Sequence, residues 1–230
     1  MHILQGGGFP RLPMELPVGR LDARCFFANM ALCAPEDVMR SFASTGTGIL
    51  LLLLAVGGCS SPAAPIKIAG IFGHTYEPLD VSNYRAAVLV FVLQDCPICN
   101  SYAPRIQRLD SEFAQRDVVF YLIHVDPTLS EGKARKHATD YGYHFPVLID
   151  RRHNLVGRFH VMAVPTALVL KPDGSVAYQG CIDDRFIALG KSRNAATTDD
   201  LHDALTAVLD GKPVQTPRTR VVGCAVPDLQ

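Results

Sequence analysis

The chain has no excess charge of either sign: acidic and basic residues stand at 22 each in 230. Without a basic field nothing holds a nucleic acid backbone along the surface, and without an acidic one there is no solvating tail, so partners have to be recognised through chemistry. It also lacks an apolar run of the roughly 20 residues that a membrane-spanning helix needs. The run from Ile49 to Val56 is only eight residues long. No second C-x-x-C and no H-x3-H cluster accompanies Cys96 and Cys99, so a structural zinc site would lack half its ligands and no metal is expected. No nucleotide or flavin motif is visible either. Any electrons must then pass to or from another redox protein.

What is present bounds the rest. A length of 230 with 48% hydrophobic composition suits one good core with appendages. The segment "MRSFASTGTGILLLLLAVGGC", Met39 to Cys59, has a basic Arg40, a short apolar run and then small residues, the pattern of an export signal. Its end, "VGGC" at Val56 to Cys59, resembles the bacterial lipoprotein box, which implies lipidation of Cys59 after removal of a signal over 39–58. The segment 59–65 then reads as a flexible tether. An export signal works from the N-terminus, so Met39 is read as the true start. Residues 1–38, Gly- and Pro-rich without a sustained period, then lie upstream of that start or form a disordered extension. Setting aside Cys25, Cys33 and Cys59 leaves four of the seven cysteines, Cys96, Cys99, Cys181 and Cys224, in an exported domain where disulfides are permitted.

From Ala86 the pattern alternates. "AAVLVFVLQ" and "DVVFYLIHVD" are continuous β-rich runs, as expected for strands covered on both faces. Between them Ala103, Ile106, Leu109 and Phe113 recur at helical spacing. "LSEGKARKHATDYGY" reads as a helix, "FPVLID" as a short strand and "RRHNLVGRFHV" as a short helix. "PTALVLKPDGSVAYQG" is a hairpin turning at Lys171 to Gly174. A last amphipathic helix takes Thr197 or Thr198 as cap and Gly211 as stop. This order describes an α/β domain with a central mixed sheet over 66–212, followed by an irregular tail over 213–230.

"QDCPICNSYAP", Gln94 to Pro104, places Cys96 between a buried strand and a helix start, where unpaired N–H groups favour a thiolate. Pro97 suits the first helical position. Cys99 lies one turn on, so the two sulfurs can close a disulfide without unwinding the helix. Such a pair is suited to thiol-disulfide exchange.

With Ala103-Pro104 five residues after Cys99 and "AVPTALVL" around Pro165, the sequence resembles the thioredoxin-like superfamily. The resemblance implies a kink at Pro104 and a cis Pro165 facing the disulfide and shaping a groove for an extended partner backbone. The inserted helix and strand, "GCIDDRF" and the tail's "GC" are similar to the redoxin branch, the alkyl hydroperoxide reductase and thiol-specific antioxidant group. The family's peroxidases place Pro and Thr or Ser seven and three residues before the reactive cysteine, whereas this chain has Leu89 and Leu93, which counts against peroxidase chemistry. The buried aspartate of thioredoxins falls at Val90, which leaves Asp95 as the substitute in proton transfer. Cys181 and Cys224 form either a structural disulfide pinning the tail or supply a resolving thiol at Cys224. A tail with little core of its own gains most from a staple, which favours the bridge. His124, His144, His153, His160 and Met162 are read as ordinary surface or core residues, although a copper-binding module would use Cys96, Cys99 and a histidine such as His144 or His160. Asp183 to Phe186, with Arg151 and Arg152, are read as charges on solvated faces. The expectation is a lipid-anchored, extracytoplasmic thiol-disulfide oxidoreductase of the cell envelope, facing the periplasm if the cell has an outer membrane. It would need no cofactor beyond a Cys96–Cys99 disulfide, and would act on protein thiols or disulfides.

Overall fold

The computed structural model describes residues 65–229. The upstream segment 1–38, the signal over 39–58, the lipidation site Cys59 and nearly all of the tether 59–65 lie outside the described residues.

The seven apolar residues of Ala86–Val92 form a strand buried at every position. That is the burial a continuous Val/Leu/Phe run demands, since neither face can meet water. In chain order the strands are β1 (Ile68–Ala69), β2 (Thr75–Tyr76), β3 (Ala86–Val92), β4 (Val118–His124), β5 (Val147–Ile149), β6 (Ala163–Val164), β7 (Thr166–Leu170), β8 (Val176–Gly180), β9 (Phe186–Ala188), β10 (Lys191–Ser192) and β11 (Cys224–Ala225). The helices are α1 (Pro97–Ser101), α2 (Ala103–Phe113), α3 (Glu131–Asp140), α4 (Asn154–Phe159) and α5 (Asp200–Leu209). Five strands make one sheet in the order β5-β4-β3-β7-β8. β4 runs parallel to β3 from Ala86↔Val118 to Val92↔His124, and β5 runs parallel to β4. β7 and β8 are antiparallel on the other side. The central mixed sheet flanked by helices is the expected α/β architecture.

α2 buries Ala103, Ile106, Leu109 and Phe113, the four residues that the helical spacing singles out. The helix breaks at Tyr102, and Pro104 sits in the first turn of α2, where its missing N–H costs no bond. The hairpin β7-β8 turns through Gly174 at φ 75, and α5 stops at Gly211 at φ 68. These left-handed positions cost least for glycine.

Two expectations are corrected. The cap of α5 is Asp199, and neither Thr197 nor Thr198 takes that place. The Asp199 carboxylate is drawn to Arg105 on α2, while the backbone N–H groups of Thr197 and Thr198 are taken by Asp184. Asp183 to Phe186 do not lie on a solvated face: Asp183 is buried and accepts the hydroxyl of Tyr102 and the N–H of Arg185 at 2.9 Å. Arg185 lies 4.5 Å from the centre of the Tyr102 ring and bonds the Ser101 carbonyl at 3.1 Å. The tail is irregular over most of its length, as expected, yet it is held in place. It runs along the free edge of β8, where Gln179 donates to the Pro217 carbonyl at 2.9 Å and accepts from the Thr219 N–H at 3.2 Å. It then ends as β11, paired with β6.

Candidate active site

Cys96 caps α1 in an extended conformation, φ −83 and ψ 112, directly after the turn that leaves β3. Its carbonyl accepts the Asn100 N–H at 3.0 Å, and its Sγ stands 3.9 Å from the Val164 carbonyl oxygen. The Val164–Pro165 peptide is cis, and both residues are buried. Thus the end of β3, the start of α1 and the loop between β6 and β7 converge on one sulfur.

The pairing of that sulfur departs from expectation. Cys96 is bonded to Cys224, 128 positions away, with Cα atoms 6.2 Å apart. Cys99 and Cys181 are free thiols, so the structure contains neither the Cys96–Cys99 disulfide nor the Cys181–Cys224 bridge. Helical spacing brings Cys99 within a turn of Cys96, but it does not show that a remote strand arrives at the same place. Cys99 is 1% exposed, and burial pushes its thiol up to about 12, offset only in part by backbone amides. Cys181 is held beside the tail instead, its N–H donating to Thr219 Oγ1 at 3.0 Å and its Sγ 3.2 Å from the same hydroxyl.

Two glycines make the docking of the tail possible. A Cβ at Gly180 would fall on the Thr219 hydroxyl, and one at Gly223 on the Val164 carbonyl. Each precedes a cysteine. The repeated "GC" is therefore the sequence signal for a close backbone approach, legible only once the two segments are known to touch.

The other expected site residues are placed as follows. Asp95, directly before Cys96, is exposed and accepts from the Gln94 side chain at 3.3 Å. His144 and His160 are exposed, and Met162 is 79% exposed. No cluster of three or more potential metal-ligating side chains occurs among the described residues. Instead, His137, which reaches the C-x-x-C helix, and its neighbour His124 are both buried, with rings edge-to-face at 4.9 Å. His137 Nε2 lies 2.9 Å from Asn100 Oδ1. Neither ring nitrogen of His124 finds a partner, and burial, with the neighbouring His137, lowers it to about 3. His124 closes β4, one strand over from Val92. Its apolar neighbours in sequence mark it as a strand residue, and nothing in the sequence marks it as half of a buried pair.

With this geometry in view, comparison with known proteins decides the family: the model described as the AhpC/TSA family matches residues 62–179. The chain belongs to the AhpC/TSA family. Among curated relatives, the thiol-disulfide oxidoreductase ResA of Halalkalibacterium halodurans is 25% identical over 81 residues, 35% of this chain and 45% of that protein. The thioredoxin-like protein YneN of Bacillus subtilis is 28% identical over 92 residues, 40% of this chain and 54% of that protein. The chain thus spans about half the length of the curated relatives it matches. Among solved structures, an uncharacterized conserved protein from Geobacillus kaustophilus aligns with TM-score 0.62 at 23% identity, covering 72% of this chain and 89% of that one. A hypothetical protein from Sinorhizobium meliloti aligns at 0.62 and 22%, covering 71% and 91%. These two likenesses bear on the fold of the AhpC/TSA chain, which is thioredoxin-like. The family match ends at Gln179, short of Cys181 and of the whole tail that carries Cys224.

Proposed function

We propose that this AhpC/TSA-family chain is a thiol-disulfide oxidoreductase whose exchanging sulfur is Cys96. The observation that carries this is the placement of Cys96: at a helix start, against the cis Val164–Pro165 peptide, and bonded to a cysteine delivered by a separate extended strand. A sulfur that accepts a cysteine from an extended segment there can accept one from a partner in the same way. A thiolate at Cys96 attacks a partner disulfide, one partner sulfur leaves and takes a proton, and a second thiol of this chain displaces the other, leaving a disulfide behind. The names of the relatives ResA and YneN support the same chemistry. Protein thiols or disulfides are the proposed substrates.

The proposed location is the extracytoplasmic side of the cell envelope, with the chain anchored through lipid on Cys59. This rests on the sequence from Met39 to Cys59. Among the described residues no helix is long and apolar enough to cross a membrane. Mass spectrometry of the N-terminal peptide from native cells tests it: a diacylglyceryl-modified Cys59 is expected, and an unmodified peptide from residues 1–38 overturns it.

Peroxide reduction is a second reading, favoured by one observation, the disulfide between Cys96 and a remote cysteine, the product a peroxidatic thiol and its resolving partner would leave. Against it, buried Leu89 and partly buried Leu93 stand where peroxidases of the family carry Pro and a hydroxyl. The Thr166 hydroxyl donates to the Ala163 carbonyl at 2.6 Å. One titration separates the two. The chain is equilibrated in dithiothreitol or glutathione buffers and its cysteines are followed by alkylation. A reversible two-electron couple that includes Cys96 is expected, with oxidation by micromolar peroxide slow. Loss of that couple, or peroxide oxidation that is rapid and abolished in Cys96→Ser, overturns the exchange reading.

A further inference from the structure

The strand that delivers Cys224 does more than hold it. β11 lies antiparallel on β6, Cys224 opposite Val164 and Ala225 opposite Ala163, and the Val226 N–H continues the ladder to the Met162 carbonyl at 3.1 Å. It therefore covers the β6 edge, which lies beside the Cys96 sulfur and the cis proline. No residue from Gly211 to Leu229 is fully buried. Backbone pairing, the disulfide and the hydrogen bonds of the Thr219 hydroxyl with Tyr178 and Cys181 hold the segment, while Cys224 and Val226 pack only partly buried against the core.

We propose that the tail from Thr219 to Val226 is an internal occupant of the partner-docking edge, and that Cys224 is the thiol that resolves mixed disulfides on Cys96. This rests on the oxidoreductase reading above and specifies its partner and its second sulfur. Reduction of Cys96–Cys224 by a donor dithiol yields two thiols, the donor leaving as a disulfide, and frees the strand. The exposed edge Ala163–Val164 then pairs with an extended cysteine-bearing segment of a partner. Cys96 thiolate attacks the partner's disulfide sulfur, and the sulfur it was bonded to departs. Cys224 returns, its thiolate attacks Cys96 Sγ, the bond from Cys96 to the partner breaks, and the partner's thiolate takes a proton. The Cys99 thiol, buried in the core at 1% exposure, is poorly placed to compete. The occupant also predicts selectivity. A side chain at position 223 would fall on the Val164 carbonyl, so a partner docking in the same register carries glycine immediately before its cysteine.

The test uses the reduced full chain and a synthetic extended peptide whose Gly-Cys cysteine carries a thionitrobenzoate leaving group, beside its Val-Cys counterpart. In a single turnover the wild-type chain is expected to release thionitrobenzoate and then the peptide, ending with Cys96 paired to Cys224 by mass spectrometry. Cys224→Ser is expected to release thionitrobenzoate yet hold the peptide on Cys96, slowing peptide release at least tenfold, and to react with Gly-Cys at least tenfold faster than with Val-Cys. If Cys96 instead ends paired with Cys99, or Cys224→Ser releases peptide at the wild-type rate, the resolving role is overturned while the oxidoreductase reading stands. Equal rates for the two peptides overturn the docking register. No thionitrobenzoate release by the wild type, or release that persists in Cys96→Ser, removes the oxidoreductase reading itself.

Discussion

Cys96 and Cys99 share one motif and differ in environment, and that difference decides what each can do. Cys96 faces the strand that reaches it, whereas Cys99 points into the core at 1% exposure with its thiol pushed up to about 12. At pH 8 such a thiol is ionised in about one molecule in ten thousand, against roughly a tenth for a cysteine at its ordinary value of 9.0. In the native oxidised chain Cys99 should therefore react with iodoacetamide about a thousandfold more slowly than a free model thiol, and at the normal rate in urea. Fast native labelling would show that the core around it opens. Tyr102 tests a different kind of dependence. Its hydroxyl is bonded to buried Asp183, and its ring carries the Arg185 guanidinium. Tyr102→Phe strips the carboxylate of its hydroxyl donor, and the expected cost is about 1–3 kcal/mol in urea unfolding. A change below a few tenths would mean the Arg185 N–H alone satisfies Asp183.

Short elements around the site depend on single side chains in the same way. α4 is six residues long and its N-cap, His153, sits at φ 51 with no side-chain bond to the helix. The free N–H groups of Asn154, Leu155 and Val156 are instead taken by Asp150, buried at the end of β5, at 2.8, 2.9 and 2.9 Å. Asp150→Ala leaves those donors unpaired, so a loss of about 2–3 kcal/mol is expected, which at roughly 2–4 °C per kcal/mol lowers Tm by about 4–12 °C. A Tm within a degree of wild type would mean water replaces the carboxylate. Elements of this kind mark how far the sequence can be read. The strands β3 and β4 and the buried face of α2 were legible because hydrophobic period alone specifies them, and Cys96 and Pro97 because local backbone rules act within a few residues, whereas the roles of Pro104 and Pro165 were implied only by the resemblance to the thioredoxin-like superfamily. The Cys96–Cys224 bond, the Asp199–Arg105 pair and the burial of Asp183 join segments about 80 to 130 positions apart, and no local pattern encodes such a meeting. The docking of the tail was not legible for a definite reason. Its prolines suppress strand periodicity, and its order comes from pairing with edges that only the finished fold supplies.

At the scale of the whole molecule, stability should be bounded on both sides of neutral pH by groups held neutral in the core. On the alkaline side Cys99 has an ordinary value of 9.0 and is raised to about 12, and Tyr121 is likewise raised to about 12 by burial. A group raised in the folded state contributes stability that is complete below its unfolded value and is lost as pH climbs towards its folded one. The loss therefore starts near pH 9 and reaches about 1.4 kcal/mol from Cys99 by pH 10, one unit above its ordinary value. On the acid side His124 falls from 6.5 to about 3, and burial also lowers His137. A depressed histidine acts in the opposite sense: its contribution is complete above 6.5 and drains away as pH falls towards 3, because the unfolded chain takes up the proton first. At pH 5 that is about 2 kcal/mol from His124 alone. Urea unfolding of the oxidised chain between pH 4 and 10.5 should give a plateau near pH 7 to 8.5 with a falling limb on each side. His124→Leu removes the unpaired ring and should flatten the acid limb while leaving the alkaline limb in place. An acid limb of unchanged slope in that variant would mean that carboxylates, and not the buried histidine pair, set the acid stability of the fold.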